Sequence, residues 1–354
     1  MRSLKRIVLP LFAAAMVAGS ALLYTNNTEA QGSAALSITP RKDYTIEPGE
    51  GVEDTLVIRN LDGEKELNLG LRAIDFSYTD DGGTPKLMLD EDAPQTTWSL
   101  KPFIELPESI TVGPNETKTV PISMEIPENQ GAGSFYSAIV YSSGASEGGN
   151  VGLSASGVTL AFVTVPGEVD EKLTLEKLGA FNTDTRKYQR FTLNMPQRIG
   201  YTLNNEGNVV GAPVGEIVLR DIFGRETGIS DINPDKSLAL IGQTRTFESC
   251  ILKASEEVSF NGSRQEASMC VNPSLWPGFY SVAMDAMYGQ NGNLTQEIQG
   301  KSWFIYAPWW FVLIVVVVLA YVSYRIYRVV RYIQNRKNGG APAKPKRAKS
   351  ATKK

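Results

Sequence analysis

Among its 354 residues the chain has no histidine. Without an imidazole, Ser-His-Asp and Cys-His nucleophile activation are excluded, as are zinc sites built on histidine. Cysteine is nearly as scarce: Cys250 and Cys270 stand alone, with no metal-site spacing around them. No glycine-rich phosphate loop is present either. What remains for catalysis is a pair of carboxylates or a Ser-Lys dyad, and no pattern singles one out among the acids. The sequence is therefore read as that of a non-enzyme without cofactor or metal.

Charge is missing from residues 302–324, a run of 23 residues in which twelve are Leu, Ile, Val or Phe. As a helix rising about 1.5 Å per residue it spans roughly 34 Å, enough to cross a bilayer with some tilt. Trp303, Trp309 and Trp310 crowd one end and Tyr321 and Tyr324 the other, where amphipathic rings suit the two headgroup layers. Beyond Tyr324 come eleven bases, beginning with Arg325, Arg328 and Arg331, and no acid. By the positive-inside rule that end is cytoplasmic, and its low-complexity stretch reads as a disordered tail that touches lipid headgroups.

At the opposite terminus Arg2, Lys5 and Arg6 precede an apolar run over residues 7–23 and a polar stretch closing on Ala30. This is the layout of a secretory signal, with a mature chain starting at Gln31; an uncleaved first helix is the alternative. In an oxidising compartment two cysteines are most simply one disulfide, Cys250 to Cys270, worth about 3 kcal/mol for a loop of about 20 residues.

Sustained 3.6-residue apolar periodicity is absent from residues 31–300, whereas short alternating runs recur between turns, as in TLVIR (55–59), LNLGL (67–71) and TVPISM (119–124). That is a strand rhythm. A weak internal repeat divides it. LVIRN ending at Asn60 matches YTLNN ending at Asn205, an offset of 145, and GSFYSAIVY with Phe135 matches PGFYSVAMD with Phe279, an offset of 144. The expected fold is all-β: a signal peptide (1–30), an acidic, membrane-distal immunoglobulin-like β-sandwich (31–168), a membrane-proximal one (169–302), a transmembrane α-helix (303–324) and a basic disordered cytoplasmic tail (325–354).

The halves differ in charge. Residues 31–170 carry 22 acids against 8 bases, net −14, and residues 171–302 carry 15 against 13, net −2. The acidity of the first half argues against nucleic acid or another polyanion as its ligand. Asp75, Asp80, Asp81, Asp90, Glu91 and Asp92 cluster in sequence, but without EF-hand spacing, and Asp-Asp-Gly-Gly at 80–83 reads as a hairpin turn. The sequons at Asn26, Asn115, Asn261 and Asn293 are near what chance gives. Phe135 and Tyr141 must face one side of their strand and Tyr136 the other, so one ring is expected in the core and another exposed.

The run Tyr44-Thr-Ile-Glu-Pro-Gly49 leading to the strand ending at Asn60, the strand carrying Phe135 to Tyr141, and the order signal, two sandwiches, helix and basic tail together resemble the WxL-interacting proteins of bacterial cell surfaces. Pro-Gly before a strand ending in Asn is shared with fimbrial chaperones and other bacterial immunoglobulin-like domains. The resemblance implies a peptidoglycan-binding first domain and a second domain that binds host or surface-protein partners. The expectation is thus a single-pass envelope protein that binds an envelope polymer or a surface protein, with membrane lipids around its helix and tail. Its alternative is a membrane-tethered chaperone for exported or pilus subunits working by β-strand addition.

Overall fold

The structure, a computed structural model, describes residues 36–90, 95–143, 155–260, 263–289 and 293–338. The signal peptide with its Ala30/Gln31 boundary, Glu91, Asp92, Asn26, Asn261 and the tail beyond Asn338 lie outside the described residues.

Two compact units divide the chain, Met1–Ser77 with Lys86–Glu168, and Tyr78–Pro85 with Val169–Lys354. In chain order the first half contains β1 (Leu36–Ile38), β2 (Arg41–Thr45), β3 (Gly51–Asn60), β4 (Leu67–Ile74), β5 (Phe76–Tyr78), β6 (Pro85–Leu87), β7 (Ile104–Glu105), β8 (Ser109–Val112), β9 (Thr117–Glu125), β10 (Gly133–Ser143) and β11 (Ala155–Val165). Sheet order is β1-β3-β9-β7 facing β2-β11-β10-β4-β8. The alternating runs fold as their period demands: Leu56 and Ile58, Leu67, Leu69 and Leu71, and Val120, Ile122 and Met124 are all buried in one core. The Asp80–Gly83 stretch is a turn, closed by the Thr79 amide on Thr84 O at 2.9 Å.

The second half contains β12 (Leu173–Asn182), β13 (Lys187–Gln189), β14 (Phe191–Thr192), β15 (Arg198–Asn205), β16 (Val214–Asp221), β17 (Glu226–Ile232), β18 (Thr244–Cys250), β19 (Lys253–Phe260), β20 (Ser263–Cys270), β21 (Gly278–Tyr288) and β22 (Gln296–Tyr306). Here β13-β12-β15-β18 faces β14-β22-β21-β16-β17 around its own core, and β19-β20 is a separate two-stranded hairpin. In both halves a first strand pairs antiparallel with the next long one (β1 with β3, β12 with β15), and a short strand then runs parallel to the last (β2 with β11, β14 with β22). The chain is mostly β, two immunoglobulin-like sandwiches followed by one long apolar helix.

The internal repeat is structural. Asn60 and Asn205 are fully buried at the ends of β3 and β15 and work as equivalent latches. Asn60 Nδ2 donates to Lys65 O (2.7 Å), Gly113 O (3.0 Å) and Val112 O (3.2 Å), while its Oδ1 accepts from the Asp62 amide at 2.9 Å. Asn205 Nδ2 donates to Val209 O (2.8 Å) and Ala239 O (2.9 Å), and its Oδ1 accepts from the Gly207 amide at 3.0 Å. Each amide thereby ties the turn after its strand to the loop before the next strand of the sheet. The second match is displaced by one residue. Gly133 pairs with Val165 and Gly278 with Tyr306 at the same end of each hairpin, an offset of 145, so Phe135 corresponds to Tyr280, not to Phe279. Phe135 and Tyr280 are both core residues, whereas Phe279 faces outward. A one-residue slip exchanges the faces of a strand, so both matches share the offset of the asparagines.

The helix also differs from the sequence expectation at both ends. It is α1 (Trp309–Asn338), so Trp303 lies on β22 and only Ala307 and Pro308 separate strand from helix. The uncharged run counted from residue 302 is in its first part a strand that alternates inward Phe304 and Tyr306 with outward Trp303. Hydropathy alone does not separate such a strand from a helix, but Pro308 lacks the amide a helix interior needs. At the far end Arg325 to Lys337 continue the helix where a disordered tail was expected. Trp309, Trp310, Tyr321 and Tyr324 are all exposed on it.

Candidate binding surfaces

Among the described residues no cluster of three or more Cys, Asp or Glu is arranged to hold a metal ion. The acidic run of the sequence separates instead. Asp75 is buried and its carboxylate accepts from the Thr96 amide (3.0 Å), Thr96 Oγ1 (3.2 Å) and Ser99 Oγ (2.5 Å), which anchors the segment bearing Trp98. Asp80 is spent on its turn, accepting from the Gly82 amide at 2.9 Å.

That anchoring decides the fate of Tyr136, the ring on the face of its strand opposite Phe135 and Tyr141. Tyr136 does face away from the core, yet it is only 1% exposed. Phe76, Phe162 and Trp98 lie 5.3, 5.7 and 6.2 Å from it, and its amide donates to Trp98 O at 2.9 Å. Trp98-Ser-Leu100 is thus the cover of an aromatic cluster on the outer face of the sheet. Beside it opens a cleft of about 650 Å³ lined by Arg72, Asp75, Asp90, Gln95 and Lys101 with Met88 and Leu89. Its mixed charges and apolar floor suit a polar polymer more than a small apolar ligand.

Sheet edges are the second kind of surface. In the first unit β2 covers β11 over Leu160–Thr164. Along β3, strand β1 pairs only with residues 58–60, but the remaining edge is guarded: Asp54 Oδ1 accepts the Thr55 amide at 2.7 Å. Lys42 Nζ (2.6 Å) and Tyr44 OH (2.7 Å) hold the same carboxylate from β2. Burial opposes ionisation of Asp54, but the bonds from Lys42, Tyr44 and the Thr55 amide outweigh it and bring its pKa down to about 2. Burial, and then the bond to that anion, push the Tyr44 hydroxyl up. This cluster was not singled out from sequence, because Lys42 and Asp54 sit on strands of different sheets.

The second unit lacks such a guard. The ladder of β22 with β21 runs eleven residues without a register shift, and on its other side only β14 pairs, at Ile305 and Tyr306. The amides of Ile305 and Ala307 donate to Arg190 O and Thr192 O, so odd-numbered residues point their amides to that side. Among the described residues no strand hydrogen-bonds to this edge from Gln296 to Phe304, where Glu297, Gln299, Lys301 and Trp303 present theirs, although β12 runs beside it with Leu175 at Gly300 and Gly179 at Ser302. Leu175 packs against Gly300, closing the core beneath the edge without a ladder.

Cys250 and Cys270 form a disulfide with Cα atoms 5.1 Å apart, at the base of the β19-β20 hairpin. Trp303, expected as a membrane anchor at the helix end, is stacked on Phe279 at 5.7 Å with the Arg190 guanidinium 5.0 Å from its ring.

No protein-family model and no curated protein matches the sequence. Solved structures give distant similarity only. The Salmonella enterica SafA pilin in complex with the SafB chaperone matches at 9% identity over 77% of this chain and 98% of that one, with a TM-score of 0.33. The class 5 fimbriae chaperone CfaA matches at 10% identity over 77% and 99%, TM-score 0.32. The PapD-like domain 7 of human CEP192 matches at 13% identity over 41% and 95%, TM-score 0.26.

Proposed function

We propose that the chain is a non-enzymatic, single-pass membrane protein, sandwiches outside and C-terminus cytoplasmic, that binds an extended segment of an exported protein along the open edge of β22. The edge from Gln296 to Phe304, to which no described strand hydrogen-bonds, supports this reading. Four amides of alternate residues face one way there, and an added strand would satisfy them as a neighbouring strand does in a sheet. Lys301 and Arg190 put cations beside the edge, which suits a carboxylate or acidic side chain on the incoming segment. This is the chaperone-like alternative of the sequence reading. Proline at position 299 or 301 removes an outward amide and leaves the β21 ladder intact, since edge strands tolerate it. With a photo-crosslinker at Glu297 of the full chain in cells, a specific exported protein should be captured, and Gln299→Pro with Lys301→Pro should abolish the product. Capture unchanged by the prolines would refute edge binding.

The reading by resemblance to WxL-interacting proteins, a wall polymer bound by the first unit, has the cleft beside Asp75 in its favour. Co-sedimentation of the full chain with purified sacculi, lost in Arg72→Ala with Lys101→Ala, would support it over strand addition.

A further inference from the structure

Ten large apolar side chains are exposed among the described residues of the second unit ahead of α1, against three in the first unit, Val57, Leu61 and Leu89. Their distribution along the sandwich is uneven. Gly278 pairs with Tyr306 at the end where the helix leaves, and Tyr288 pairs with Gln296 at the opposite end. Phe191 and Leu193 belong to the helix end, since Thr192 pairs with Tyr306 and accepts the Ala307 amide. So does the β16-β17 turn with Ile222 and Phe223, because Asp221 pairs with Tyr280 and Tyr280 with Phe304. Trp276 stands two residues before Gly278, separated from it by Pro277. Phe223 and Trp276 are each 80% exposed and Ile222 69%. At the opposite end, among the described residues, only Met287 is an exposed large apolar side chain, at 44%.

We infer that this end of the second unit is a membrane-docking surface, whose three loops sink into the headgroup and upper acyl region of the bilayer that α1 crosses. The occupant follows from the junction. Only Ala307 and Pro308 join β22 to α1, so the loops beside Tyr306 lie within a few residues' reach of wherever Trp309 sits. Only 16 uncharged helical residues, 309–324, precede Arg325, about 24 Å of a hydrocarbon layer about 30 Å thick. The membrane therefore has no slack to stand off from the sandwich without drawing Arg325 deeper. The chemistry of the rim agrees: Arg225 lies 5.5 Å from the Phe223 ring and Arg190 5.0 Å from that of Trp303, pairing rings suited to the acyl boundary with cations suited to phosphate headgroups. This rests on α1 spanning the bilayer and is independent of what β22 binds.

The test uses the full chain with 5-fluorotryptophan in nanodiscs of phosphatidylcholine and phosphatidylglycerol, each resonance assigned by Trp→Phe substitution. Lipid carrying a nitroxide near the headgroup should broaden the Trp276 line at least twofold, as it does Trp309 and Trp310, while a water-soluble gadolinium chelate leaves it sharp. Trp98, in the first unit, is the unaffected control. Gadolinium broadening of Trp276 with Trp309 and Trp310 in lipid would overturn the docking surface and leave the anchor standing. Gadolinium broadening of all three would overturn both, and protection of Trp276 from lipid and chelate alike would assign the patch to protein contact instead. Ile222→Ser with Phe223→Ser should return Trp276 toward the chelate without moving Trp309.

Discussion

Removing one asparagine latch should cost only the sandwich that holds it. In Asn60→Ala the Val112 carbonyl, fully buried, loses a donor that no water replaces, at about 2 kcal/mol, while the half-buried partners at Lys65, Gly113 and Asp62 rehydrate at about 0.5 kcal/mol each. The sum is about 3–4 kcal/mol. All three bonds of Asn205 are buried, so Asn205→Ala should cost at least as much in the second unit. For sandwiches of this size about 4 °C of melting temperature accompanies each kcal/mol, so a drop of roughly 12–16 °C is expected. Calorimetry of the full chain in detergent micelles should resolve two transitions, and the one lowered by reductant belongs to the unit with the disulfide. Asn60→Ala should lower the reductant-insensitive transition and Asn205→Ala the other. A shift below about 1 kcal/mol, or equal movement of both transitions by either variant, would refute the latch argument. Asn60→Asp should be worse than alanine, since it aims a carboxylate at three carbonyls.

Peptide mapping without reductant should join Cys250 to Cys270, and the double serine variant should destabilise the second unit by about 2–4 kcal/mol with no change in the first. Asp54 is held below its unfolded value, so its contribution is present above pH about 4 and lost as the pH falls through about 2. Discounted for its partial exposure it amounts to about 1 kcal/mol, and Asp54→Asn should flatten the acid limb of the first unit's stability profile between those values. Protease added to spheroplasts should digest both sandwiches and spare the segment from Arg325 onward; protection of the sandwiches would reverse the proposed orientation.

Much of this fold was legible because its signals are local. Alternation placed Leu56, Ile58, Leu67 and Val120 in the core, and an asparagine closing an apolar strand is unusual enough that two of them at one spacing revealed the duplication. Phe135 and Phe279 misled by one residue because phenylalanine and tyrosine are adjacent in both strands, and letters do not say which ring faces inward. From sequence Trp303 reads as helical because a strand buried on one face and the start of a spanning helix have the same composition; Pro308 is the signal that separates them. The guard at Asp54, the open edge of β22 and the bareness of Trp276 depend on which strands fail to meet, and no single stretch of sequence records that.

The arrangement of β12 and β22 has a mechanical consequence. Leu173 donates its amide to Tyr288 OH at the end opposite the helix, so the chain enters this sandwich at one end and leaves at the other. Leu175 lies beside Gly300 and Gly179 beside Ser302, which makes the first and last strands run the same way. A pull between the bilayer and the chain preceding Leu173 therefore loads β22 along its length. Its eleven-residue ladder with β21 must slip as a whole in shear, because no free end is offered from which the bonds could be peeled one at a time. A sandwich strung this way resists extension by the number of rungs it engages at once, and it does so on the strand that leads directly into α1.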